Sequence, residues 1–573
     1  MLRTSNPTTS SLEILPAAMD ANAATVARST QHQPANLDLG QRVVPGKPTE
    51  ALAVQDSQPE VERNVAEDES QYPTGLKFYL ILFSIGLVLV FGSMDSSMVS
   101  VAVPSITNEF RTVADVGWYS AAFRLARCST QFAFGKLYKI FSVKRIFLVS
   151  VFVFVASSIM CATAATSTAF IVARAVNGFA TSGIITGCFT LLVQCFPLRK
   201  RPVYTGIFGA IEGVSDMGSP TLGGLIVDKL GWRWCFWISV PSGAATFLAL
   251  LFTLSDVQPI TANQTWRQRL AEMDLLGTMV LIPCLTCLFV ALSWAGTRCA
   301  WNSPTIVGLF CAFGVLLGLF AYEQYRKGET AALPPRILKN RSVLAGLTFS
   351  LCCNSAMSIV EYYLPIYFQT VRQFSAAESG YLIFPVVGGF ALATLLAGWG
   401  VTTVGYYTPF MLLGSVLMPL FSGLLTTVGA STELVRIVCY AAFYGFAGGI
   451  GFQSPQSAVQ AALPAEDASI GLSVILFCQQ FGPAVFVTAA QTIFTNKLTV
   501  NLHELAPGLN ATTIEGMGLT DLTAVVGPEN LNNVLAGFDK SLAQTWYLAV
   551  GLACVTMLGS LGMEWRSVKQ RRD

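Results

Sequence analysis

The chain has 573 residues, of which 53% are hydrophobic and only 12% charged, and its mean hydropathy is +0.55. Soluble domains carry roughly 25% charged residues, so this sequence lacks the polar surface that dissolves a globular protein. Its net charge of +2 comes from scattered cations with no basic stripe, which excludes phosphate-backbone binding and with it a nucleic-acid partner.

Residues 1 to 77 form a separate regime, rich in Ser, Thr, Asn, Gln, Pro and Ala, with an acidic patch at Glu67, Asp68 and Glu69. They read as a disordered cytoplasmic tail, and no apolar run of signal-peptide type follows the start. A helix crossing a bilayer needs roughly 20 apolar residues, because lipid offers its backbone no hydrogen bonds. That rule divides the rest into fourteen predicted spans. The first six lie near 78 to 98, 116 to 136, 146 to 165, 168 to 192, 203 to 226 and 234 to 254, so a six-span unit covers 78 to 254. Spans 7 and 8 lie near 274 to 295 and 304 to 324. Six more follow near 343 to 367, 380 to 400, 409 to 429, 434 to 457, 469 to 493 and 542 to 563, leaving a loop at 495 to 541 and a tail at 564 to 573.

Lysine and arginine orient the map. With both termini inside, cytoplasmic connections collect Lys139, Lys144, Arg145, Arg199, Lys200, Arg201, Arg267, Arg269, Arg326, Lys327, Arg336, Lys339 and Arg341. The other side has only Arg111, Lys229, Arg298, Arg372, Lys497 and Lys540, as the positive-inside rule requires. The loop at 495 to 541 is then external, and its sequon at Asn510 faces a compartment where glycosylation occurs. Trp118, Tyr119, Trp232, Trp234, Trp301, Trp546, Tyr547 and Trp565 fall at predicted span ends and read as interfacial anchors.

Most of the fourteen cysteines lie in apolar runs and read as small hydrophobes. Cys284 and Cys287 have the spacing of a metal or redox pair, but no second pair or histidine accompanies them, so no metal and no cofactor is expected.

Two echoes suggest an internal repeat with an offset of eight spans. Ser219-Pro220 in span 5 is echoed by Gly482-Pro483 in span 13. Gly135 at the end of span 2, seven residues before Ser142, is echoed by Gly398 and Gly405 at the end of span 10. The offset fits six plus six spans with two inserted between them.

Five blocks carry a family resemblance. Met94-Asp-Ser-Ser-Met-Val-Ser-Val-Ala-Val-Pro104 lies in span 1, Arg174-Ala-Val-Asn177-Gly178 in span 4, and Gly209 to Gly224, with Pro220, Gly223 and Gly224, in span 5. Trp232 to Pro241 opens span 6, and Tyr362-Tyr363-Leu-Pro-Ile-Tyr-Phe-Gln369 closes span 9. In this order they resemble the major facilitator superfamily, in particular its fourteen-span drug:proton antiporters and the fungal toxin-efflux pumps among them. The resemblance implies an all-α polytopic membrane protein with the major facilitator fold, two six-helix bundles plus two inserted spans. It also marks Gly135, Lys144 and Arg145 after span 2 as a gating motif. There the family's usual Asp is Lys139 and its second Gly is Ser142, so the charge latch attributed to that loop cannot form in its usual way.

Ionisable groups within spans are functional candidates by default. Asp95 and Arg174 lie at similar depth in spans 1 and 4 and can form an ion pair, either a permanent strut or one that a proton or substrate breaks. Glu212 and Asp216 are four residues apart, on one helix face about 6 Å apart along the axis. Two carboxylates that close do not both ionise readily, as a proton carrier requires. Arg124 and Arg127 either neutralise these acids, line the cavity or snorkel away, although the resemblance sets spans 2 and 5 on opposite sides of a bundle. Asn177, Glu361, Tyr362 and Tyr363 are candidate substrate contacts, with an interfacial charge as the other reading of Glu361. Gln453, Gln456 and Gln479 are either substrate contacts or interhelical hydrogen-bonding groups.

The functional expectation is a proton-coupled carrier exporting a small, largely apolar organic compound by alternating access, in the plasma membrane or else a vacuolar or vesicle membrane. No Gly-x-x-x-x-Gly-Lys-Ser/Thr loop is present, which excludes ATP as a direct fuel. An importer of a nutrient or iron chelate is the first rival. A membrane enzyme or sensor is the second, opposed by the absence of His-Glu-x-x-His, of Gly-x-Ser-x-Gly and of histidine in any predicted span.

Overall fold

The computed structural model describes residues 75–112, 115–256, 265–296, 299–505 and 528–569. Its regular elements are helices, and fourteen of them correspond to the predicted spans. The first bundle contains α1 (Gly75–Phe110), α2 (Val116–Ile140), α3 (Val143–Ala162), α4 (Ser167–Cys195), α5 (Arg201–Leu230) and α6 (Ser239–Thr253). Helices α7 (Leu275–Trp294) and α8 (Pro304–Lys327) form a hairpin. The second bundle contains α9 (Arg341–Thr370), α10 (Phe384–Val404), α11 (Thr408–Leu425), α12 (Leu434–Phe452), α13 (Ala468–Leu505) and α14 (Pro528–Gly562). Several starts follow from side chains that accept otherwise unpaired N–H groups, as Thr166 does for α4, Ser303 for α8 and Asn340 for α9.

Twelve helical stretches among the described residues are apolar enough to cross a membrane by composition alone. The two spans below that threshold are α2, with Arg124, Arg127, Lys136 and Lys139, and α5, with Glu212, Asp216, Asp228 and Lys229. Their packing explains the exception, because α5 lies along α1 and α2 along α4, inside the bundle.

The repeat is visible in the packing. In the first bundle α1 packs on α5 and α6, α2 on α4, and α3 on α4 and α6. Eight helices later α9 packs on α13 and α14, α10 on α12, and α11 on α12 and α14. The bundles meet along two related seams, α2 with α13 and α5 with α10.

Both seams have close glycine crossings at the end that carries the Lys/Arg cluster, here called the basic end. A Cβ on Gly135 would lie 2.5 Å from Ser473 Oγ, and Ser469 donates a hydrogen bond of 2.9 Å to the Gly135 carbonyl. At the other seam a Cβ on Gly398 would lie 2.7 Å from the Pro202 carbonyl and 3.2 Å from Gly206 Cα. Gly135 and Gly398, the echoed pair, make equivalent crossings.

The hairpin is tied on by a polar knot. Asp274, 4% exposed, accepts from Gly277 N–H at 2.7 Å, Lys327 Nζ at 2.6 Å, Gln324 Nε2 at 2.5 Å and Ala332 N–H at 3.0 Å. Elsewhere α8 is lipid-facing, with only Ile306, Phe320, Glu323 and Gln324 buried.

Two expectations change, and two others lie outside the described residues. The external loop predicted at 495 to 541 is helical as far as Leu505 and again from Pro528, because α13 and α14 remain paired there. Leu502 and Phe538 are buried, Asn501 Nδ2 donates to Ser541 Oγ at 2.8 Å, and Lys540 meets Glu504 at 3.0 Å. Tyr119, Trp232 and Trp546 are buried packing groups rather than interfacial anchors, while Trp234, Trp301, Tyr547 and Trp565 are exposed. The Asn510 sequon and residues 1 to 74 lie outside the described residues.

Burial alone pushes the Asp274 carboxyl up, but Lys327, the Ala332 N–H, Gln324 and the Gly277 N–H together hold it below the usual range. A lowered carboxyl stabilises the fold above its unfolded value and loses that effect as pH falls through the lowered value. Asp274→Ala is expected to cost about 3 kcal/mol at neutral pH. In detergent thermal melts the difference from the parent should persist to about pH 4 and shrink below it.

Candidate functional site

A cavity of about 720 Å³ lies between the bundles. The first bundle lines it with Ser97 of α1, Ser120 and Arg124 of α2, and the face of α5 from Glu212 to Asp228. The second contributes Asn354, Ser358, Glu361 and Tyr362 of α9, Phe390 of α10, Phe452 of α12 and Gln479, Gln480 and Pro483 of α13. Pro220 and Pro483, the echoed prolines, line opposite walls. The cavity extends to Asp228 and Tyr381 at the end away from the basic cluster. At its other end Phe390 and Phe452 pack edge to face with centroids 5.0 Å apart.

Its walls carry four carboxylates, Glu212, Asp216, Asp228 and Glu361, against one arginine, Arg124. Glu212 is buried and meets Arg127 Nη2 at 3.7 Å, its other oxygen having no hydrogen-bond partner. Spans 2 and 5 therefore bring charges together across the bundle centre, contrary to the expectation that they stand apart. Asp216 is open to the cavity and accepts from Ser97 Oγ at 2.5 Å. The two acids share a face but differ in environment, Glu212 nearly buried at the cavity wall beside an arginine and Asp216 exposed to the cavity. Glu361 faces them from the second bundle and makes no hydrogen bond or ion pair among the described residues. Tyr362 is half exposed beside it.

Other predicted residues lie elsewhere. Asp95 and Arg174 form an ion pair of 2.5 Å with side chains 1% and 0% exposed. Arg174 also donates to the Tyr119 carbonyl at 3.1 Å and stacks over Phe123 at 4.4 Å, so the pair is sealed away from the cavity. Asn177 is fully buried and bonded within the first bundle, and Tyr363 is buried in the core of the second. Gln479 lines the cavity with an unpartnered Nε2, whereas Gln453 and Gln456 lie beneath the cavity floor. Pro220 and Gly224 face the cavity, and Gly223 packs on Met98 of α1. Sequence reasoning missed Asp228, Asn354 and Ser358. Asp228 falls at a predicted span end, and the other two look like ordinary polar residues of an apolar helix.

The basic end holds a latch of unusual polarity. Lys139 Nζ reaches Asp467, at the start of α13, at 2.7 Å, and Arg336 Nη2 reaches its other oxygen at 2.7 Å. Lysine on α2 and aspartate at α13 thus join the bundles although the family's usual aspartate is missing. Burial alone raises the Asp467 carboxyl, but Lys139 and Arg336 hold it below its ordinary range. Lys144 and Arg145 stay within the first bundle. Lys144 donates to the carbonyls of Leu251 and Leu254 at 2.9 and 2.6 Å, and Arg145 pairs with Asp256 at 2.8 Å. Ser142, in place of the second glycine, caps α3 and also donates to Asp256.

Residues 85–487 match the family model described as Major Facilitator Superfamily. The chain belongs to this superfamily. Curated relatives include the MFS-type efflux pump MFS1 of Arthroderma benhamiae, 39% identical over 89% of this chain and 95% of the relative. The MFS thioclapurine efflux transporter tcpA of Claviceps purpurea is 37% identical over 89% and 94%. The efflux pump aflT of Aspergillus parasiticus is 36% identical over 88% and 99%. Among solved structures, the human organic anion transporter MFSD10 (TETRAN) aligns with a TM-score of 0.54 and 12% identity, over 84% of this chain and 100% of that one. At that identity the likeness concerns the fold, that of an integral membrane transporter.

The latch makes a prediction within the family frame. Lys139→Met and Asp467→Asn should each lower stability of the purified protein, and the double substitution should fall short of their sum by about 1 to 3 kcal/mol. Full additivity in denaturation would show that the contact holds nothing.

Proposed function

We propose that this chain is a proton-coupled secondary transporter that exports a small, largely apolar organic compound, a toxin or other secondary metabolite, by alternating access in the plasma membrane. The carrying observation is a cavity shut at the basic end by two glycine-lined seams and a charged latch, yet extending to the opposite end. With the basic end cytosolic, this is an outward-facing state. The volume suits a drug-sized molecule, and Met217, Met357, Phe390, Phe452 and Tyr362 offer it apolar surface. The efflux pumps named among the relatives support the outward direction.

Protons reach the site from the same side. Asp216 is accessible through the cavity and shares its helix face with Glu212, whose charge is compensated by Arg127 of α2. A proton placed on Glu212 removes that ionic contact between α2 and α5, while protons on Asp216 or Glu361 discharge the cavity wall. Such neutralisation lets the acids enter a drier, closed site, because burying an unpaired charge is far costlier than burying a neutral acid. Asp95 and Arg174 serve as a strut joining α1 and α4, since no path reaches them in this state.

Flux into inside-out vesicles with and without an imposed proton gradient tests the reading. Combining Glu212→Gln with Asp216→Asn should reduce gradient-driven export to the level seen without a gradient; unchanged export would remove these acids from the coupling. Asp95→Asn should instead lower the folded yield, because it leaves the Arg174 charge buried without a counter-ion at a cost of about 3 kcal/mol or more, while the surviving protein keeps its gradient dependence. Loss of that dependence at normal yield would return Asp95 to the coupling step.

A further inference from the structure

Beneath the cavity floor lies a polar seam that the outward-facing state leaves unused. Helix α12 ends at Phe452, and a second helical segment, Ser454–Ala462, continues toward the basic end with Pro455 in its first turn. Around this break Gln453, Gln456 and Gln460 recur at helical spacing, with exposures of 5%, 0% and 4%. Both polar side-chain atoms of all three lack a hydrogen-bond partner among the described residues. Buried amides are normally paired, since an unmade bond leaves the full desolvation penalty in place.

The seam is continuous with the cavity. On α5, Thr205, Gly209, Glu212 and Asp216 follow at intervals of four, three and four residues, and so share one face. Asp216 and Glu212 line the cavity, Gly209 sits so close to Gln453 that no Cβ fits between them, and the Thr205 hydroxyl is buried and unpartnered. On α9, Asn354 lines the cavity, and one turn nearer the basic end Ser350 carries another unpartnered hydroxyl. The Phe390–Phe452 pair separates the open half from this closed half.

We propose that the glutamine seam is the cytosolic half of the cargo path, a loading site exposed when the bundles part at the basic end. The inference rests on the alternating-access reading above and adds where cargo is first held and by what chemistry. The unpartnered seam groups are neutral amides and hydroxyls, each able to donate or accept. They fit an uncharged molecule carrying several carbonyl or hydroxyl oxygens, while the acids beyond the aromatic pair handle protons.

The test uses the full chain with Gln456→Cys or Asp228→Cys, each compared with the parent and its native cysteines. A membrane-impermeant maleimide is applied to intact cells and to inside-out vesicles. Asp228→Cys should label from the outer face. Gln456→Cys should label from the cytosolic face only, several-fold above the parent; no labelling above the parent from either face would overturn the proposal. Gln456→Met supplies a readout independent of transport. An unpartnered glutamine replaced by an apolar side chain of similar size should leave the outward-facing protein equally or more heat-stable, whereas a structural hydrogen-bonding glutamine would leave it less stable and sink the idea. Failure of the export reading looks different, because vesicles would then show no gradient-driven export while cytosolic labelling at Gln456→Cys persisted.

Discussion

Charge is expensive in hydrocarbon, and the rest of this architecture depends on where the chain puts it. Most of the intramembrane charge sits on α2 and α5, the two helices too polar to qualify as spans by composition. Both are turned inward, so that Arg127 meets Glu212 and Arg124, Asp216 and Asp228 border the central cavity. The lipid-facing helices are correspondingly plain: α8 presents almost nothing but apolar surface, and its few buried polar groups gather in the knot around Asp274. The same constraint that keeps acids out of lipid creates a polar centre between the bundles.

The second constraint is the close packing of the two bundles at the basic end. Glycine at the α2/α13 and α5/α10 crossings lets backbones approach where any larger residue would hold the bundles apart. Lys139, Asp467 and Arg336 then add a charged contact at one crossing, and Arg336 comes from the segment connecting the inserted hairpin to the second bundle. The segment that leaves the inserted spans thus takes part in the contact between the bundles. Lys139 on α2 meeting Asp467 at the start of α13 gives the bundles a charged contact although the aspartate usual in the resembled family is absent.

Cavity and seam together describe two halves of one path divided by an aromatic pair. The upper half is accessible and acidic, and the lower half is sealed, neutral and rich in unpartnered amides. Such a seam is a poor way to stabilise a single state but a suitable lining for a passage opened in another.

Much was legible in the residues alone. Apolar runs determined the spans, because lipid leaves the backbone no partner but itself, and the lysine and arginine residues marked one end of the bundles as basic. Glycines eight spans apart foretold related crossings, since close backbone approach has few other chemical solutions. The ion pair between Asp95 and Arg174 was also foreseeable from matching depth. Which charges meet, and which face open space, depended on helix rotation and crossing, to which composition is blind. Only the packed bundles decided that Arg127 reaches Glu212, that Asp216 is open while Asp95 is sealed, that Lys139 finds Asp467, and that Gln479 faces the cavity while Gln453 and Gln456 lie below it. A helix presents its whole circumference to possible neighbours, and tertiary contact selects the side that acts.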